Sequence, residues 1–129
     1  MLISGVLAYK GHKIYEISPG ASLREAASLL LEKNIGAVIC SDGSGGIVGI
    51  LSERDIARAF ARMGTDMIAL SVADAMSRDV VACAADDHVE EILEIMTETR
   101  CRHIPVVKDG EVLGLVSIGD LVKASKRST

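Results

Sequence analysis

Gly49-Ile50-Leu51-Ser52-Glu53-Arg54-Asp55-Ile56 returns later in the chain as Gly114-Leu115-Val116-Ser117-Ile118-Gly119-Asp120-Leu121. The Gly, Ser and Asp recur at an offset of 65 residues. Upstream the correspondence continues at an offset of 66. Leu23-Arg24-Glu25-Ala26 answers to Val89-Glu90-Glu91-Ile92, and Ala37-Val38-Ile39-Cys40 to His103-Ile104-Pro105-Val106. The change of offset falls in a turn, Asp42-Gly43-Ser44-Gly45-Gly46 against Lys108-Asp109-Gly110. A residue lost in a turn leaves the flanking elements intact, so the chain reads as two copies of one structural unit.

Each copy predicts the same order of elements. A short apolar strand, over 14–17 or 80–83, precedes a helix opened by a capping box, Ser22 with Glu25 or Asp87 with Glu90. Leu23, Ala26, Ala27, Leu30 and Leu31 share one face of the first helix; Val89, Ile92, Leu93 and Met96 share one face of the second. A buried strand follows, over 37–40 or 104–107, then a Gly-bearing turn and a strand over 47–51 or 112–116. A helix closes each copy, over 53–62 or 118–123. Short helices are also expected over 2–8 and over 71–77, where Ser71 and Asp74 have capping-box spacing. The expected division is 6–62 and 76–125 as the two domains, 63–75 as a linker and 126–129 as a basic tail. The fold class is α/β (α+β): a tandem pair with pseudo-twofold symmetry, each half a mostly three-stranded sheet against two helices. Units this small are expected to cover one another's sheets.

Aromatics are 2% of the chain and hydrophobic residues 49%, so the core must come from Ala, Val, Ile, Leu and Met. The formal charge is −4 with no long basic stripe, which argues against nucleic acid as partner. Three cysteines at irregular spacing are no disulfide framework, and Cys40 and Cys83 sit in apolar runs as small buried hydrophobes. The three histidines form no metal pattern with them. With no export signal and no long uninterrupted apolar run, a cytoplasmic protein without membrane association is expected.

The doubled Gly-x-x-Ser-x-x-Asp, in this order of elements, resembles the CBS domain family over residues 6–125, and in particular small stand-alone bacterial members. Paired CBS domains bind adenosine-containing ligands in clefts between the two units. The resemblance implies that Asp55 and Asp120 each hold ribose hydroxyls, and that Ser52 and Ser117 contact ribose or the first phosphate. Ile17 to Pro19 and Cys83 to Ala85 would flank the base, and Val38-Ile39 and Ile104-Pro105 would cover its other side. Arg54 and the Arg102-His103 pair would receive phosphate. The chemistry is sound by itself: a carboxylate accepts two bonds from a vicinal diol, and a hydroxyl with helix N-terminal amides suits phosphate. The same Ser–Asp spacing is also that of an N-cap and its third helical residue, and one pair can serve both roles. Arg54 reads equally as a surface residue, and His103 as a strand end.

The expected ligand is AMP or ADP, with ATP or NAD(H) as rivals, in a regulatory module that senses energy or redox state. No cofactor is required. The cleft lined by Cys83, Ile104, Ser117 and Asp120 is the favoured one, with Arg54 reaching its phosphate. Gly49 and Gly114 allow a tight strand or the close approach of a ligand. A homodimer is expected, paired through helices 56–63 and 121–123, together with a separate regulated protein. A partner-binding or structural dimer with no nucleotide is the alternative. Catalysis is not expected: Cys101 and His103 share one side of a strand but have no third group to orient them, and no paired carboxylates or metal ligands occur.

Overall fold

The computed structural model describes residues 1–127. Its elements are helix α1 (Ile3–Lys10), strand β1 (Glu16–Ile17), α2 (Leu23–Lys33), β2 (Ala37–Ser41), β3 (Ile47–Ser52), α3 (Glu53–Met63), a 3-10 helix (Gly64–Ala69), α4 (Val72–Ala75), α5 (Val89–Thr99), β4 (His103–Lys108), β5 (Glu111–Ser117) and α6 (Ile118–Arg127). Two compact units result: Tyr15–Val80, here the first-repeat unit, and Met1–Ile14 with the chain from Val81 onward, the second-repeat unit. The helix that opens the chain therefore packs with the second repeat.

In the first-repeat unit the sheet order is β1-β2-β3, with β1 parallel and β3 antiparallel to β2. Ser22 caps α2, its hydroxyl accepting from the Glu25 N–H at 3.0 Å. Asn34 ends the helix in the left-handed region, which Asn tolerates better than most residues. Leu23, Ala26 and Leu30 are buried and pack with Val38, Cys40 and Leu51. Leu31, expected on the same face, is 85% exposed. It follows Leu30 by one residue, about a 100° turn of the helix away from it.

The second-repeat unit repeats this plan with one strand reduced. β4 and β5 are antiparallel, and the strand expected over 80–83 shrinks to a single parallel bridge from Cys83 to Val106. Proline supplies the reason. In the first repeat the Ile39 N–H donates to the Tyr15 carbonyl at 3.1 Å. Pro105 stands at the equivalent position and has no N–H to give. Only the bonds from Cys83 N–H to the Pro105 carbonyl and from Val107 N–H to the Cys83 carbonyl remain. The expected box of Asp87 with Glu90 is also absent. His88 is the N-cap of α5, and Asp87 turns back to accept from the Ala84 N–H at 2.8 Å. α6 runs past the expected end at 123 to Arg127, whose guanidinium lies 3.8 Å from the Tyr9 ring centre. Of the tail 126–129, residues 128 and 129 lie outside the described residues.

α1 and α4 are equivalent. The Val72 and Ala73 N–H groups donate to the Ala21 and Pro19 carbonyls, and Leu23 N–H to Leu70. Likewise the Ile3 and Ser4 N–H groups donate to Asp87 and Ala85, and Val89 N–H to Met1. A side chain of α1, Leu7, and the residue that ends α4, Met76, each then lie on a glycine of the last strand. A Cβ on Gly49 would lie 2.7 Å from Met76 Sδ and 2.9 Å from the Ser77 carbonyl oxygen; one on Gly114 would lie 2.7 Å from Leu7 Cδ2. Both glycines thus make room for a cap from their own unit, and the close approach expected of a ligand is made by Met76 and Leu7.

Candidate functional site

Both Ser–Asp pairs lie where an apolar strand runs into a helix, and both form reciprocal caps. In the first-repeat unit Asp55 Oδ2 accepts from the Ser52 N–H at 2.9 Å and the Ser52 hydroxyl at 3.1 Å, while the Asp55 N–H donates to Ser52 Oγ at 3.3 Å. In the second-repeat unit Asp120 Oδ2 accepts from the Ser117 N–H at 2.8 Å, and the Asp120 N–H donates to Ser117 Oγ at 3.1 Å. These bonds satisfy helix N-terminal donors that would otherwise be orphaned. The structural role of the motif is therefore present in both repeats.

The remaining surroundings differ. Asp55 is the buried charged residue among the described residues, at 6% exposure. Its Oδ1 accepts from the Ser77 hydroxyl at 3.2 Å and lies 3.6 Å from the Arg58 guanidinium. A depression of about 310 Å³ beside it is lined by Asp55, Arg58, Ala61, Arg62 and Ala75. Asp120 is more open, its side chain 24% exposed. The Lys10 ammonium donates to Asp120 Oδ2 at 2.5 Å and to the Leu115 carbonyl at 2.6 Å. Asp120 Oδ1 accepts no bond from the described residues. Because no fully buried side-chain oxygen there is left unpartnered, this atom keeps some exposure. Burial pushes the Asp120 carboxyl up, but the Lys10 ammonium and the Ser117 donors outweigh it, and the group sits below the usual carboxylate range.

The other expected residues are placed as follows. His103 is the cross-strand partner of Ser117, as Ala37 is of Ser52. Arg102 is exposed, and its carbonyl accepts the Ile118 N–H at 2.9 Å. Arg54 is exposed on α3, while Arg58, one turn further, is the arginine beside Asp55. Val38 belongs to the core of the first-repeat unit, with Ile17 half-buried against it. Cys83 and Ile104 belong to the core of the second-repeat unit, and Pro105 is buried in β4. Core packing accounts for this burial without a ligand. Burial also pushes the Cys40 and Cys83 thiols up to about 11, as suits the inert hydrophobes expected of them. Lys10, Ser77 and Arg58 were not anticipated. Lys10 and Ser77 come from cap segments far from the motif in sequence, and Arg58 carried no distinguishing pattern.

Among the described residues no group of three or more His, Cys, Asp or Glu side chains is placed to hold a metal ion, and no helix is long and apolar enough to cross a membrane. Two repeats ending in a Ser-x-x-Asp helix cap, each with a small sheet covered by helices, define a tandem α/β module. The chain belongs to the CBS domain family, whose model matches residues 11–62 and again 72–127. It is similar to a CBS-domain containing protein of Agrobacterium tumefaciens, 38% identical with a TM-score of 0.94, over 97% of this chain and 99% of that one. It is 35% identical over 113 residues to a 17.7 kDa protein of Acidianus ambivalens, spanning 87% of this chain and 67% of that protein. It also resembles the CBS domain pair of protein MJ0100, solved in complex with 5′-methylthioadenosine and S-adenosyl-L-methionine. That pair is 26% identical, with a TM-score of 0.85, over 97% of this chain and 99% of that one.

Proposed function

We propose that this chain is a regulatory module that binds an adenine nucleotide without transforming it, principally at Ser117 and Asp120. The observation that carries this reading is Asp120 Oδ1, which accepts no bond from the described residues, on a partly exposed carboxylate. A ribose diol needs such an acceptor. Asp55 has both oxygens engaged and is enclosed, so it serves mainly as a cap. The adenosine ligands of the MJ0100 pair support the same ligand class. AMP or ADP is the preferred ligand, with ATP and NAD(H) as rivals. In this reading binding acts through the shape of the module or its contacts with a separate protein, and it stabilises the native state. Phe60 and Met63 on α3 and Val122 on α6 are large exposed apolar side chains, and they support a homodimer paired through these helices. The setting is taken to be cytoplasmic.

Calorimetric titration with AMP, ADP, ATP, NAD(H) and adenosine tests the reading. Saturable heat is expected with at least one phosphorylated ligand, and Asp120→Ala should weaken it by tenfold or more, Asp55→Ala by less, a diol–carboxylate contact being worth roughly 1.5–3 kcal/mol. No binding at millimolar ligand would leave the partner-binding dimer as the reading. Steady turnover of ATP or NAD(H) would make the chain an enzyme.

A further inference from the structure

Lys10 reaches Asp120 because α1 runs for eight residues, whereas the equivalent α4 stops after four. After α4 the chain turns extended at Met76, and the neutral Ser77 hydroxyl meets the aspartate. In the second-repeat unit it is the cap helix that brings a full positive charge to the aspartate, whereas Asp55 has the Arg58 guanidinium of its own helix α3 at 3.6 Å. An ammonium has three N–H donors. Two are used, on Leu115 and Asp120, and the third has no partner among the described residues. The Lys10 side chain is 35% exposed. Side by side, the second-repeat site thus offers a carboxylate oxygen that can accept hydroxyls and an ammonium donor that can meet an anion.

We propose that Lys10 sets the charge preference of the Asp120 site, selecting adenosine ligands with a 5′-phosphate over neutral or cationic ones. The inference rests on the nucleotide-binding reading and adds to it the group that discriminates. On a nucleoside 5′-phosphate the phosphoryl group is joined to the diol by one sugar ring and its 5′ carbon. A ligand whose hydroxyls meet Asp120 therefore carries its phosphate into the field of the adjoining Lys10. The flexible stem lets the ammonium pivot toward it while the carboxylate turns to the diol. A neutral thioether at the 5′ position gains nothing from this charge, and a sulfonium is repelled by it. In the first-repeat site the cap segment meets Asp55 through Ser77, the adjoining Arg78 donates to the Ala73 carbonyl instead, and the cation beside the aspartate is Arg58 of α3. Without a phosphate the pair is a partly exposed ion pair of the kind that contributes little to stability, so the fold does not require it.

The test is calorimetric titration of AMP and of adenosine into the full chain, wild type, Lys10→Met and Lys10→Arg. Lys10→Met is expected to weaken AMP about tenfold or more and to change adenosine by less than about threefold, and Lys10→Arg to recover most of the AMP affinity, as a charge-assisted bond to phosphate requires. Equal losses for both ligands would mean that Lys10 only braces Asp120, and would overturn the proposal. Equal gains would mark the lysine as a competitor for the carboxylate and would overturn it too, as would an unchanged AMP affinity. A wild-type chain that binds neither ligand would overturn the nucleotide reading and this inference with it, whereas AMP binding with an unchanged AMP-to-adenosine ratio would overturn this inference alone.

Discussion

The first-repeat unit closes its aspartate in and the second-repeat unit leaves its aspartate half open, although the two strands, turns and caps around them correspond. Asp55 is shared among a serine cap, a second serine and an arginine. Asp120 is shared between a serine cap and one lysine, and its Oδ1 accepts no bond from the described residues. The difference originates in the length of a cap helix more than in the motif. A four-residue α4 returns the chain to extended backbone in time for Ser77, and an eight-residue α1 carries Lys10 past that point. The motif thus caps a helix in both repeats, and in the second one carboxylate oxygen accepts no bond from the described residues.

The comparison can be broken at its strongest point by removing each carboxylate in turn and measuring stability without ligand. Asp55→Ala strips a buried network of its acceptor and should lower urea-unfolding stability by about 2–4 kcal/mol. Asp120→Ala loses a cap and a partly exposed ion pair, and should lower it by about 1 kcal/mol. Equal effects would show that the two aspartates are structurally alike after all.

A smaller contrast separates the glycines. Gly49→Ala meets a sulfur at 2.7 Å and a main-chain oxygen at 2.9 Å, and the oxygen is held by the Ile50–Ser77 bridge. Overpacking of this kind should lower stability by about 2–3 kcal/mol. Gly114→Ala meets the end of the Leu7 side chain, which can turn away, and should lower it by about 1 kcal/mol. Denaturation midpoints of the two variants check the order.

The smallest effect is in pH. The Asp120 carboxyl is depressed in the folded state, so its contribution is present above the unfolded value of about 3.9 and is lost as pH falls through the folded value. A carboxyl titration followed by NMR should find Asp120 below the usual range in the wild type. In Lys10→Met it should rise toward that range, sharpening the assignment of its state to Lys10.

Much of this was legible in the repeat. The offset of 65 located both Ser–Asp pairs, and capping-box spacing found the starts of α3 and α4, where the bonds form. Readings that depended on distant partners went astray. Asp87 has the spacing of a cap, yet it is held by a turn to Ala84 while the N-terminal segment takes over the entry to α5. Leu31 extends an apolar face beyond what its unit's core needs. Pro105 was visible, but its cost to the neighbouring strand appears only when Ile39 shows which bond is missing. Lys10 stands 110 residues from Asp120, a separation that no local period records.

The exchange of caps changes what counts as an end of this molecule. The backbone of Met1 to Ser4 is bonded to Ala85, Asp87 and Val89, so the start of the chain is stitched into the later repeat. A change in residues 1–4 is then a perturbation of the second repeat, more than 80 residues away in sequence. The first-repeat unit is continuous in sequence, Tyr15–Val80, whereas the second-repeat unit is assembled from two separate stretches. Residues 1–14 find their sheet only in the chain from Val81 onward.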